Sequence, residues 1–380
     1  MEENLQGLLD RFKAGCYTAP PVRRAYVPKG DGTSTRPIGV PTFEDKVLQR
    51  AVAMVLEAVY EQDFRDCSYG FRPGRSAHQA LEALWQGLME RGGGWVLEVD
   101  IQRFFDTLDH SQLRRFLDQR VRDGVIRRTI DKWLKAGVLE GTLLSHPGSG
   151  TPQGSGVSPI LANIYLHEVV DRWFETVVKP RLRGPAFLIR YADDLRLVLA
   201  SEADAQRVWE VLPKRFGKYG LTLHPEKTRL LHFSRPVRGE AGGGTCPRSF
   251  EFLGFTHYWA KSRTGSWVVK RKTAARRFGQ ARQRIAHWCR FNRHQSLAWQ
   301  HQQLVRKLQG HDAYYGISGN GGALRRLRYE VARVWRKWLN RRSHRAQMHW
   351  ERFKLLLERY PLPAAVVYHS VYRRAAKPCT

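Results

Sequence analysis

Apolar and polar positions alternate over residues 95–101, and this two-residue period predicts a β-strand. Leucine, valine and isoleucine side chains fall on one face, whereas Glu98 and Asp100 fall on the other. We therefore expect a half-buried strand that carries its acids on the open face.

Two further apolar runs, at 186–190 and 195–200, flank the tetrapeptide Tyr-Ala-Asp-Asp at 191–194. Such a pattern predicts a β-hairpin whose tip holds Asp193 and Asp194 in the open.

The remaining pattern predicts further helices and strands. Apolar positions three or four residues apart indicate helices, two of which follow capping residues at Thr42 and Ser76. The predicted helices cover 43–62, 76–90, 111–121, 126–136, 157–178 and 203–219. The other predicted strands cover 22–27, 36–40, 228–233 and 249–255. The order strand, helix, hairpin, helix, strand is typical of a split βαβ layer in an α+β fold, and basic helices are expected to follow from about 256–265.

The three acids Asp100, Asp193 and Asp194 are the strongest candidates for chemistry. Carboxylates that crowd together repel one another, and a pair of Mg²⁺ ions about 4 Å apart relieves this repulsion and serves phosphoryl transfer. The alternative for the tetrapeptide alone is a solvated acidic turn.

Charge is distributed unevenly along the 380 residues. The formal net charge is +29, and residues 261–380 carry 28 Lys and Arg against 4 Asp and Glu, which gives +24 there and +5 elsewhere. Aromatic residues are interleaved with this charge: Trp267, Trp288, Trp299, Trp335, Trp338, Trp350, Tyr314 and Tyr315. The pattern predicts a nucleic-acid-binding region, although the tryptophans could equally form the core of a helical bundle, and we expect both to hold in part.

Cysteine spacing and hydropathy restrict the class of protein. None of the five cysteines forms a C-x-x-C pair, which argues against a zinc module or a disulfide framework. No apolar run approaches 18 residues, and the first residues do not resemble a signal peptide. We expect a cytoplasmic protein without a membrane partner.

A glycine-rich loop at 150–156 precedes the long apolar helix predicted from Val157. Backbone N–H groups are free at such a helix start, so an anion could bind there.

Seven segments, in this order, resemble those of the bacterial group II intron reverse transcriptases. They are 36–41, 68–78, 100–109, 150–163, 191–194, 225–228 and 252–255. Segments 288–294 and 314–317 also resemble the thumb, or maturase, region of that family. Together the segments extend over nearly the whole chain.

The resemblance implies a right-hand polymerase. Residues 1–95 would be fingers, 96–260 palm with interleaved fingers segments, 261–345 a helical thumb, and 346–380 a basic tail. The activity implied is RNA-directed DNA synthesis from a primer 3′-OH.

The same resemblance assigns the metal site. Asp100 and Asp193 would bridge two Mg²⁺ ions, for which Mn²⁺ could substitute, with the backbone carbonyl of Ile101 assisting. Asp194 would support the ion at the primer end.

It also assigns substrate contacts. Phe105 would exclude a 2′-OH, Gln153 would line the nucleotide pocket, and Lys29 and Arg36 would clamp the triphosphate. Arg72 and Arg75 would meet template phosphates or acids of the fold, and Phe252, Leu253 and Gly254 would place a backbone turn against the primer terminus. The expected partners are an RNA template, a DNA or RNA primer, dNTPs and structured intron RNA.

Several positions depart from the family pattern. The chain stops at Thr380 without the Cys/His endonuclease segment that members commonly carry, so we expect no nicking of a DNA target. Arg196 stands where an apolar or aromatic residue is usual, and residues 154–157 differ slightly from the usual loop. Two other roles stay open: an RNA-binding splicing cofactor, or a domesticated reverse transcriptase in phage defence, DNA repair or a CRISPR locus.

Overall fold

The computed structural model describes residues 2–28, 35–140, 143–145, 148–151, 154–236, 249–343 and 347–370. The chain forms two compact units, Met1–Ser234 and Arg235–Thr380.

The first unit mixes eight α-helices with eight strands among its described residues. The helices are α1 (Glu2–Lys13), α2 (Phe43–Tyr60), α3 (Ala77–Arg91), α4 (Phe104–Thr107), α5 (His110–Asp118), α6 (Gly124–Lys135), α7 (Ser158–Leu166) and α8 (Glu202–Gly217). The strands are β1 (Val22–Pro28), β2 (Thr35–Val40), β3 (Gly93–Val99), β4 (Val138–Glu140), β5 (Leu143–Ser145), β6 (Ala186–Tyr191), β7 (Asp194–Leu199) and β8 (Arg229–Ser234).

Both capping predictions are confirmed. The side chain of Thr42 accepts a hydrogen bond from the backbone N–H of Asp45 at the start of α2, and Ser76 accepts one from Gln79 at the start of α3. These bonds satisfy N–H groups that a helix start leaves without partners, so the capping residues fix where both helices begin.

A four-stranded antiparallel sheet, ordered β6-β7-β3-β8, lies at the centre of the first unit. Helices α4 to α7 connect β3 to the β6–β7 hairpin, and α8 connects β7 to β8, so the predicted split βαβ order is confirmed. Helix α8 contributes Ala205, Val208 and Leu212 to the same core as Leu97 and Leu197 of the sheet.

A second sheet, ordered β2-β1-β4-β5, pairs β1 antiparallel with β2, which are the two strands predicted over 22–27 and 36–40. Strands β4 and β5 were missed in the sequence, because three-residue strands are too short to show alternation.

The apolar helix predicted over 157–178 is interrupted in the structure. Helix α7 ends at Leu166, and π-helical turns follow at His167–Asp171 and Phe174–Val178. Apolar spacing cannot distinguish these wider turns from an α-helix, and π-helical turns often occur at functional sites.

The second unit begins with a three-stranded antiparallel sheet, and helices follow it. Its elements are β9 (Phe250–Phe252), β10 (Phe255–Lys261), β11 (Trp267–Thr273), α9 (Ala275–Phe291), α10 (Leu297–Tyr315), α11 (Gly321–Leu339) and α12 (Trp350–Arg359). The prediction that helices begin near 256–265 was wrong, because β10 and β11 continue the sheet to Thr273 and the first helix begins at Ala275. The domain boundary predicted at residue 260 lies inside β10.

The single strand predicted over 249–255 was also wrong. Leu253 and Gly254 both have positive φ, 49° and 79°, and form the two-residue turn between β9 and β10. Positive φ at both central positions is typical of tight hairpin turns, and glycine adopts it without steric cost.

The tryptophans of the second unit divide between core and surface, as expected. Trp335 is fully buried beside Phe353 of α12, whereas Trp299 and Trp350 remain partly exposed. The region predicted as a basic tail thus contains a helix that closes this core. No described helix of the chain has the length and apolarity needed to cross a membrane.

Candidate active site

The β6–β7 hairpin carries two of the predicted acids at its tip. Tyr191 pairs with Asp194, so Ala192 and Asp193 form the turn between the strands. The apolar strands on either side are buried, which fixes the register and holds the acidic tip at the end of the sheet.

Strand β3 brings the third acid to the same place. Val99 of β3 pairs with Leu195 of β7, so Asp100 at the next position of that antiparallel register falls opposite Asp194. Side chains opposite each other on neighbouring strands have Cβ atoms about 5 Å apart. The fold therefore brings together two acids that lie more than ninety residues apart in sequence.

The segment that follows α8 fixes Asp100 from its other side. The backbone N–H of His224 donates to the carbonyl oxygen of Asp100 at 2.8 Å, and the Thr228 hydroxyl donates to the same oxygen at 3.2 Å. The Lys227 ammonium lies 3.7 Å from Asp100 Oδ2 and is 60% exposed. The motif at 225–228 thus supports the acid.

The negative charges of Asp100, Asp193 and Asp194 make it harder for the two hairpin acids to ionise. Loss of surrounding water raises the pKa of Asp193, the charges of Asp194 and Asp100 raise it further, and Arg36 opposes this shift. Burial raises the pKa of Asp194, Arg196 opposes the shift, and Glu98 and Asp100 add to it. The carboxylates at the tip thus repel one another, and a bound cation would relieve this repulsion.

The donor set fits a hard divalent cation. Carboxylate oxygens are the ligands that Mg²⁺ prefers. Three carboxylate groups, those of Asp100, Asp193 and Asp194, lie at the ends of two adjacent strands. In the described ranges, however, no group of three or more His, Cys, Asp or Glu side chains is already arranged to hold a metal ion. Asp194 instead binds Arg196, whose Nη1 donates to Asp194 Oδ1 at 2.6 Å.

Glu98 corrects the prediction of a half-buried strand. Its side chain is 6% exposed and pairs with Arg196 at 3.4 Å and with Arg229. Both faces of β3 are therefore covered, and Glu98 is tolerated because arginines from both neighbouring strands compensate its charge.

Arg190, which no sequence pattern pointed to, supports the hairpin from inside the protein. Its Nε and Nη2 donate to the two carboxylate oxygens of Asp171 at 2.8 and 2.6 Å. Nη1 donates to Asn163 and to the carbonyl oxygen of Ala192, and Nη2 donates to Ser68. All five guanidinium N–H donors are used, and both charged side chains are fully buried.

The turn that precedes the acids is strained and closely packed. Ala192 has φ 57°, a left-handed conformation that costs a non-glycine residue about 1–3 kcal/mol. A Cβ added at Gly70 would lie 2.3 Å from the backbone nitrogen of Ala192. The Gly70 loop and Arg190 thus hold Ala192, and with it Asp193, in one conformation.

Phe105 lies half-buried beside the glycine-rich loop. Its ring packs edge-on against Phe104 at 5.3 Å, and its carbonyl oxygen accepts a hydrogen bond from Thr151 N–H at 2.7 Å. Gly150 has φ 87°, and a Cβ there would lie 2.7 Å from the Phe105 oxygen. The structure therefore joins the α4 region and the start of this loop.

The predicted triphosphate and pocket residues are only partly described. Arg36 is exposed on β2 and close enough to lower the pKa of Asp193, which brings it into the field of the acids. Lys29 and Gln153 lie outside the described residues. Gln49 accepts hydrogen bonds from Ser155 and from the backbone N–H of Gly156, and so fixes the end of the loop.

The two arginines of the 68–78 segment differ in their surroundings. Of the two alternatives considered for Arg72, the structure shows an ion pair with an acid of the fold: it is buried and binds Glu61 and two backbone carbonyls. Arg75 pairs with Asp66 at 2.6 Å and lies over the ring of Tyr69.

In the second unit, the predicted primer-contacting residues form the β9–β10 turn. The Tyr314 hydroxyl donates to the Leu253 carbonyl at 2.9 Å, and Ala274 N–H donates to the Gly254 carbonyl at 3.0 Å. A Cβ at Gly254 would lie 3.2 Å from the Tyr315 hydroxyl. The motif at 314–317 therefore fixes the turn.

Buried charge was the signal that could have revealed the missed residues. Arg190 ends an apolar strand, and Asp171 lies in an otherwise apolar helical stretch. A charge inside apolar surroundings requires an opposite charge, but the sequence does not say which residue supplies it.

Comparison with known proteins identifies relatives of this chain. The family model "Reverse transcriptase (RNA-dependent DNA polymerase)" matches residues 27–257. The group II intron-encoded protein LtrA of Lactococcus lactis is 44% identical, with 62% of this chain and 49% of that protein covered. Protein YkfC of Escherichia coli is 34% identical, with 60% of this chain and 68% of that protein covered.

A solved telomerase from Candida albicans shares the fold. It gives a TM-score of 0.51 at 15% identity and covers 91% of this chain and 62% of the telomerase chain. The predicted α+β right-hand polymerase fold is thereby confirmed. The chain spans about half the length of LtrA.

Reverse transcriptases generally use divalent metal ions. The resemblance to group II intron proteins stated from the motifs is confirmed by the identity to LtrA. The chain belongs to the reverse transcriptase (RNA-dependent DNA polymerase) family.

Proposed function

We propose that this chain is an RNA-directed DNA polymerase that extends a primer 3′-OH with dNTPs. The observation that carries the proposal is the meeting of Asp100, Asp193 and Asp194 at adjacent strand ends, in a chain of the reverse transcriptase family. Each of the two hairpin acids is affected by the charge of Asp100.

The three acids and the Ile101 carbonyl would hold two Mg²⁺ ions, for which Mn²⁺ could substitute. When bound there, such ions would activate the attacking 3′-oxygen and stabilise the charge on the leaving pyrophosphate. The protein's own part is positioning: Arg190 and Gly70 fix the hairpin tip, and His224 and Thr228 fix Asp100.

Arg36 and Phe105 would contact the incoming nucleotide, together with Lys29 and Gln153. Arg36 lies close enough to the acids to lower the pKa of Asp193. A triphosphate bound beside the acids would therefore lie within reach of the Arg36 guanidinium. Phe105 would lie against the sugar and exclude a 2′-OH.

Phe105→Val should weaken discrimination against ribonucleotides, because a smaller side chain leaves room for a 2′-OH. We expect the ratio of rNTP to dNTP incorporation to rise at least about tenfold while dNTP extension persists. Single-nucleotide extension with each substrate measures this ratio. Phe104→Leu, a change in the buried neighbouring ring, is the control and should leave the ratio unchanged; an unchanged ratio in Phe105→Val would contradict the assignment.

The second unit would supply the thumb and the turn at Phe252, Leu253 and Gly254 that faces the primer. Its described residues carry many more basic than acidic side chains, and arginine and lysine side chains lie over partly exposed tryptophan rings, for example Arg336 over Trp350 at 4.1 Å. We propose that this unit also binds structured intron RNA in a maturase role, which the names of LtrA and of Nuclear intron maturase 3 of Arabidopsis thaliana support. The chain would work in the cytoplasm.

Primer extension tests the function directly. The full chain is supplied with a primed RNA template, dNTPs and Mg²⁺, and we expect cDNA that extends to the template end. Failure to extend, combined with tight binding of structured RNA and stimulation of intron splicing, would favour the splicing-cofactor alternative. If the chain extends the primer but its gene does not lie within an intron, the domesticated role would be favoured.

A further inference from the structure

Arg196 lies beside the candidate metal ligands. It follows Asp194 by two residues on β7, so both side chains project from the same face of the sheet. Its side chain is 9% exposed, and Nη1 donates to Asp194 Oδ1 at 2.6 Å and to the Leu195 carbonyl at 2.7 Å. One carboxylate oxygen of Asp194 is therefore occupied by a permanent cation.

Glu98 anchors Arg196 in this place. The β3–β7 register sets Glu98 opposite Arg196, and the β3–β8 register sets it opposite Arg229. Because Glu98 is nearly fully buried and pairs with both arginines, Arg196 keeps a compensating charge even when it releases Asp194.

The other acids are held differently. Asp100 pairs with the ammonium of the largely exposed Lys227 at 3.7 Å, and Asp193 lies in the turn between β6 and β7. To bind a metal ion, Asp194 must therefore give up a short, charge-assisted hydrogen bond from Arg196.

We propose that Arg196 is a positioning residue that holds Asp194 away from the metal site until a divalent cation arrives, and so sets the cation affinity of the site. This inference rests on the proposed function, because it takes Asp100, Asp193 and Asp194 as the metal ligands. When a cation binds, Asp194 loses its hydrogen bond from Arg196 and gains a contact with the metal ion. Arg196 then remains paired with Glu98.

Mn²⁺ binding to the full chain, without nucleotide or nucleic acid, tests the proposal. Free Mn²⁺ is measured by electron paramagnetic resonance during titration. Arg196→Leu should bind about tenfold more tightly, because a neighbouring positive charge and a competing bond are both removed. Arg229→Leu is the matched control: it removes an equal charge from Glu98 without touching Asp194, and affinity should change less than about twofold.

Each outcome has a distinct meaning. Equal tightening in both variants would show a simple charge effect and overturn the proposal, as would unchanged affinity in Arg196→Leu. If that variant does not fold, Arg196→Lys keeps the charge but lacks the two-pronged guanidinium, and at least about threefold tighter binding is expected; wild-type affinity there would overturn the proposal. If Asp193→Ala with Asp194→Ala retains wild-type Mn²⁺ binding, the metal site of the proposed function fails instead.

Discussion

Replacing Asp193 and Asp194 together by alanine is expected to abolish primer extension on an RNA template, with a loss of more than about a thousandfold. Both acids lie at the hairpin tip, where Asp100 meets them across the sheet. Without them, the charge that would hold divalent cations beside the primer end is gone. Extension is measured under single-turnover conditions with saturating template and dNTPs.

RNA binding and folding should survive this change. The two side chains repel each other and Asp100, so their removal relieves unfavourable charge, and most of the basic excess lies in residues 261–380. Glu2→Ala with Glu3→Ala, an exposed acidic pair at the start of α1, is the charge-matched control and should extend normally. Activity that persisted in the Asp193 and Asp194 variant would refute the assignment.

Arg190→Met should destabilise the protein and impair catalysis together. It leaves the Asp171 carboxylate buried without its counter-charge, and breaking such a buried pair costs about 3–5 kcal/mol of unfolding free energy. It also removes the donor to the Ala192 carbonyl, next to Asp193. Urea denaturation followed by circular dichroism measures the stability loss.

A surface pair provides the comparison. Arg172 pairs with Glu168 one helical turn away and is 52% exposed, so Arg172→Met should change the unfolding free energy by less than about 0.5 kcal/mol. Extension assays are run at a temperature where the Arg190 variant is fully folded, so that a lower rate reports the displaced hairpin. Equal stability losses in the two variants would contradict the role given to Arg190.

The local elements of the first unit could be predicted because local chemistry determines them. The caps at Thr42 and Ser76 and the apolar runs on either side of Asp193 and Asp194 are signals that lie within a few residues of the elements they predict. The meeting of Asp100 with the hairpin was expected from the motif order, since strand alternation alone gives no pairing partner.

Other features could not be predicted, for identifiable reasons. Glu98 looked solvent-exposed because a period of two does not show that arginines from β7 and β8 will cover it. The β9–β10 turn was missed because Leu253 adopts a positive φ that leucine rarely takes. Strand β11 was missed because its lysines and arginine made it resemble the basic helices that follow.

We propose that Asp100, Asp193 and Asp194 together hold divalent cations. Iron-mediated cleavage tests it most directly: Fe²⁺ replaces Mg²⁺, and ascorbate with peroxide generates hydroxyl radicals that cut the backbone beside the bound ion. We expect cuts near residues 100 and 193 in the wild-type chain, suppressed by excess Mg²⁺ and absent when Asp193 and Asp194 are alanine. Cleavage that spares both places, or that is identical in the variant, would contradict the account.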